Sequence, residues 1–109
     1  MNRNVSIIFL WHMHQPPYQI PEAKSFLLPW TRFHGTKDYY DFPKLMASYS
    51  HMRAVFNLSP SLLDQIEGYA SGEYGEKIFE LSRKPTDKLD QSEKTTILEY
   101  FFENSLSSV

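Results

Sequence analysis

The chain has 109 residues, a net charge of −2, 41% apolar and 22% charged residues, and no cysteine. One small domain fits in that length, whereas a full eight-unit barrel needs about 250 residues. Disulfides and thiolate metal sites are excluded, and the charge balance offers no footprint for nucleic acid or an anionic membrane surface.

Val5 to Trp11 is β-branched and aromatic without alternation, which predicts a strand buried on both faces. At seven residues it is too short to span a bilayer, where about 20 are needed, and no small-residue cleavage site follows it. A cytoplasmic protein is the expectation. The strand runs into His12-Met13-His14-Gln15-Pro16-Pro17, where two prolines stop ladder pairing. Residues 16–36 hold four prolines and Gly35 and read as a long functional loop. A helix is predicted from Asp38, as N-cap, to about Ser50, with Pro43 either in its first turn or breaking it.

Arg53 to Leu58 reads as a second buried strand, and Ser59-Pro60 opens a helix with Ser59 as cap. Leu62, Leu63, Ile66, Tyr69 and Ala70 form its expected apolar face, with Gly68 or Gly72 closing it. Two further helices are predicted over 73–84 and 91–106. Asp90 and Glu93 have capping-box spacing ahead of the second, and Ile97, Leu98, Phe101 and Phe102 follow at helical period. Strand, loop, helix, strand, helix is how a parallel α/β unit begins. Two strands close no sheet, so the reading is an incomplete α/β unit, covered by more protein or by another subunit.

Three groups of residues carry candidate chemistry. His12 and His14 stand two apart at the end of a parallel strand, so both rings can face one ligand at the edge where barrel enzymes place their sites. A neutral imidazole donates one hydrogen bond and accepts another, which matches a sugar hydroxyl, and Gln15 adds two donors and an acceptor. The second group is Trp30 to Asp41, where Trp30 offers a flat face to a sugar ring and Arg32, His34 and the aspartates offer polar partners. Packing of Trp30, Phe33 and Tyr39, with Arg32 paired to Asp38 or Asp41, is an equally complete account of it. The third is acidic: Asp38 and Asp41 lie one turn apart, but helix start and solvation explain them, and the acids of 73–103 are spaced as surface charge. His-x-His also fits a metal-dependent hydrolase, although His34 and His51 are the only other histidines to complete a zinc site. A non-catalytic interaction module is the third alternative.

Leu10 to Tyr18, Pro29 to Asp41 and Val55 to Leu63, in this order, resemble the start of glycoside hydrolase family 57, the group of α-amylases, amylopullulanases and 4-α-glucanotransferases. The resemblance implies the N-terminal part of a (β/α)7 TIM-like barrel over residues 1–109, with retaining chemistry on α-glucans. It places His14, Gln15 and Pro16 in the family's first motif, lining the subsite of the reacting sugar, with His12 beside them. Trp11, Trp30 and Tyr18 would stack on the sugar or wall that subsite, and His34 would bind its hydroxyls. The family's nucleophile Glu and acid Asp come from later strands, so no catalytic residue, metal or other cofactor is expected in this chain. By itself the chain is then inactive, and its partners are an α-glucan and the remainder of the barrel. The tail from Phe101 to Val109 is expected to stop short of a further barrel strand.

Overall fold

The computed structural model describes residues 5–106, with side chains described to Phe102. Two strands, β1 (Phe9–Met13) and β4 (Ala54–Leu58), pair in parallel, with Leu10 opposite Val55, Trp11 opposite Phe56 and His12 opposite Asn57. Between them lie the short strands β2 (Gln19–Ile20) and β3 (Ser25–Phe26) and the helices α1 (Trp30–Thr36) and α2 (Asp38–Ala47). After β4 come α3 (Pro60–Ser71), β5 (Gly75–Glu76), α4 (Lys77–Arg83) and α5 (Gln91–Leu106). The architecture is mixed α/β, and no sheet closes among the described residues. No helix of the described residues is long and apolar enough to cross a membrane. Residues 107–109 of the expected tail lie outside the described residues.

The predicted long loop is structured. Its β2 and β3 form an antiparallel pair, and β3 also pairs in parallel with β5, fifty residues further along the chain. Two-residue strands have no period to read, and tertiary pairing alone creates them. Within the same stretch Pro29 precedes seven residues of α1. Lys37 separates α1 from α2, and Asp38 is the first residue of α2 and not its cap; its carboxylate accepts from His34 Nδ1 at 2.6 Å. Pro43 lies inside α2 without ending it. It withdraws one N–H from the ladder, and the turns on either side hold.

Two helix starts read from sequence, those of α3 and α5, hold in detail. Ser59 Oγ accepts from the Leu62 N–H at 3.3 Å with Pro60 in the first turn, and Gly72 closes α3 in the left-handed region at φ 69°. Asp90 and Glu93 form the reciprocal box, Glu93 N–H donating to Asp90 Oδ1 at 2.8 Å and Asp90 N–H to Glu93 Oε2 at 3.0 Å. Lys84 Nζ also donates to Glu93, at 2.6 Å. This contact first, and the Asp90 N–H second, hold the Glu93 carboxyl below its usual range. A lowered pKa gives stability that is present above the unfolded value and lost as pH falls through the folded one. Acid melting followed by circular dichroism should therefore show wild type losing stability below about pH 4 faster than Glu93→Gln. Parallel curves would remove Glu93 from the helix start.

Burial departs from the sequence reading in three places. The strands are not buried on both faces: Phe9, Leu10, Trp11, Val55 and Leu58 are each 41–52% exposed, and only Met13 is buried. Among the described residues each has a single neighbouring strand, and the aromatic cover is Phe42 of α2, which meets Trp11 edge-on at 4.5 Å and Phe56 at 5.6 Å. The core side of α3 is Leu62, Gln65 and Gly68, whereas Leu63 is exposed. Leu98, Phe101 and Phe102 of α5 are also more than half exposed, so helical period did not select the buried face there.

The third departure concerns charge. Glu76 is 3% exposed and accepts from Arg32 Nε at 2.6 Å, while its other oxygen caps α4 through the Phe79 N–H at 3.0 Å. Arg32 is therefore not the partner of Asp38 or Asp41, and Glu76 is not surface charge. The guanidinium also lies over the Phe33 and Phe79 rings, 4.7 and 4.9 Å from their centroids. Burial first, and the Glu76 carboxylate second, push the Tyr69 and Tyr100 hydroxyls above their usual value.

Candidate functional site

A cavity of about 780 Å³ opens between the end of β1 and α2, lined by Trp11, His12, Met13, Asp38, Tyr39 and Phe42 among others. This is within the range of small-molecule sites. Trp11 and Phe42 give it aromatic walls, and Trp11 keeps 45% of its surface exposed. Lys37 and Lys44 balance Asp38 and Asp41 around it, so the lining suits a neutral ligand better than an ion.

The parallel register explains how His12 is held. Opposite it stands Asn57, whose Nδ2 lies 3.1 Å from His12 Nδ1. The segment beyond β1 is fixed by backbone contacts: Ser59 N–H donates to the Met13 carbonyl at 3.1 Å and Ser61 Oγ to the Gln15 carbonyl at 3.3 Å. Tyr39 ties the lip to α2. Its hydroxyl donates to the His14 carbonyl at 3.0 Å and accepts from Gln15 Nε2 at 2.8 Å. The His34 and Tyr39 ring centroids are 5.9 Å apart.

Beneath the lip, Gln65 of α3 is fully buried with every polar capacity used. Its Oε1 accepts from the Tyr18 N–H and the Thr31 hydroxyl, both at 3.0 Å, and its Nε2 donates to the carbonyls of Pro16 and Ser61, both at 3.0 Å. The prolines after Gln15 thus sit on a satisfied polar anchor.

Of the residues singled out in the sequence, Trp11 and His12 line the cavity. Gln15 and the backbone of His14 join it through Tyr39, and His34 through Asp38. Trp30 is not part of its lining and packs edge-on against Phe33 at 6.0 Å. Tyr18 contributes its backbone to the Gln65 anchor. Sequence reasoning missed Asn57 as a site residue and weighed Tyr39 only as one aromatic of the Trp30–Asp41 group. The only signal for Asn57 was a polar residue in an otherwise apolar strand. Among the described residues no group of three His, Asp or Glu side chains could hold a metal ion, so the metal-dependent alternative finds no ligand set there.

No curated protein and no solved structure matches the chain. The sequence profile of glycosyl hydrolase family 57 matches residues 8–106, which takes in both parallel strands, the lip and all five helices. The chain belongs to glycosyl hydrolase family 57, a family of glycoside hydrolases and transglycosylases.

Proposed function

We propose that residues 1–109 form the N-terminal part of a (β/α)7 barrel acting on α-glucans by a retaining mechanism. In this reading β1 and β4 are its first two strands, and the cavity is part of the subsite holding the reacting sugar. The supporting observation is the charge-balanced, aromatic-walled cavity at the carboxyl end of a parallel strand pair, the edge where barrel sites lie. Trp11 stacks on the apolar face of a glucose ring, and His12, His14 and Gln15 hydrogen-bond its hydroxyls. Trp30 and His34 act from behind, holding α1 and the start of α2. The nucleophile and acid carboxylates stand on later strands of the barrel, so these residues bind and orient while others cleave.

Saturation-transfer NMR with maltoheptaose tests the reading. Transfer to the sugar is expected at millimolar concentration, reduced about fivefold in His12→Ala by loss of one hydrogen bond. No reducing sugar should be released by the 109-residue chain alone. Absence of transfer, or transfer unchanged by His12→Ala, would remove the lip from the sugar site.

A further inference from the structure

We propose that Asn57 is a positioning residue that fixes His12 in its Nε2–H tautomer, so that the ring presents a hydrogen-bond donor to the ligand. The proposal rests on the lip being the sugar site, but the tautomer is measurable without any sugar.

The argument starts from register. Residues directly opposite on neighbouring strands project to the same side, and His12 faces Asn57 in the β1–β4 ladder. The Asn57 amide nitrogen lies 3.1 Å from His12 Nδ1. An amide nitrogen only donates, so Nδ1 must accept, and the proton of the neutral ring then resides on Nε2. Both side chains are exposed, so the free ring edge reaches solvent or ligand. His12 is the histidine that lines the cavity. His34 shows the opposite arrangement: its Nδ1 donates to the Asp38 carboxylate at 2.6 Å, which leaves Nε2 of a neutral ring as an acceptor. The two rings thus carry opposite hydrogen-bond polarity, set at His12 by the Asn57 nitrogen, which only donates, and at His34 by the Asp38 carboxylate, which only accepts.

This assignment divides the labour at the lip. A sugar oxygen near His12 receives a proton donor whose orientation is set before binding, which removes a tautomeric choice that a free imidazole would have to make. Asn57→Asp is nearly isosteric but offers only an acceptor, so it should invert the ring to Nδ1–H and turn its free edge into an acceptor.

Long-range ¹H–¹⁵N correlation spectra of the histidine rings at a pH where they are neutral provide the test. Wild type should show the Nε2–H pattern for His12 and Asn57→Asp the Nδ1–H pattern. Affinity for maltoheptaose should fall about tenfold in Asn57→Asp. An Nδ1–H pattern or an averaged mixture at His12 in the wild type would overturn the proposal, and that measurement needs no variant to fold. If wild-type His12 is Nε2–H and maltoheptaose leaves its ring signals unmoved, the tautomer lock stands and the sugar assignment of the lip falls.

Discussion

Replacing Gln65 with leucine is expected to cost about 3–5 kcal/mol, a large fraction of the stability of a chain this size. The reason is what the substitution strands. Leucine fills a similar volume, but the Tyr18 N–H, the Thr31 hydroxyl and the Pro16 carbonyl lose their partner, Thr31 in a fully buried position and the other two in part-buried ones. Each unsatisfied group costs about 1–3 kcal/mol, and those costs outweigh any gain from burying more apolar surface. Urea denaturation followed by tryptophan fluorescence would read the effect as a lower midpoint at unchanged slope. Gln65→Glu should cost at least as much, since it keeps both acceptor contacts but sets a fully buried carboxylate against the Pro16 and Ser61 carbonyls. A loss below about 1 kcal/mol for Gln65→Leu would mean the four contacts are not formed together.

The second large effect is expected at Arg32. Its removal in Arg32→Ala leaves the Glu76 carboxylate, 3% exposed, without its cation, at a cost of about 3–5 kcal/mol. Lost packing of the guanidinium between Phe33 and Phe79 adds to it. The double variant Arg32→Met with Glu76→Gln should be more stable than Arg32→Ala alone. It removes both charges, fills part of the space and keeps an oxygen to cap α4. A double-mutant cycle in denaturant measures the coupling, and a coupling near zero would show that the pair is solvated in solution.

Both predictions sit on contacts that no local pattern reveals. Ser59-Pro60 and the Asp90–Glu93 box were legible because capping is a matter of three or four neighbouring residues. The parallel pairing of the two strands was legible from their apolar composition and the helical segment between them. Gln65 meets partners 34 to 49 residues away, and Arg32 meets Glu76 across 44. Polar residues that pair at such distances look like ordinary surface positions in sequence. For the same reason the expected apolar face of α3 left out Gln65, whose four hydrogen bonds make its burial tolerable. At the site, the histidines at the strand end drew notice by residue type. Asn57 and Tyr39 gain their roles from register and from a helix packing back over the lip, which only three-dimensional placement supplies.

The parallel ladder also governs how the chain is made. Phe9 cannot meet Ala54 until 45 further residues have been joined, which at ribosomal rates of about 5–20 residues per second takes roughly 2–9 s. For that interval Leu10 and Trp11 emerge as a sticky, unpaired segment. Nascent chains stalled with Trp11 clear of the exit tunnel and Ala54 still inside it should accordingly recruit holding chaperones, and those stalled late enough for Leu58 to clear the tunnel should let them go.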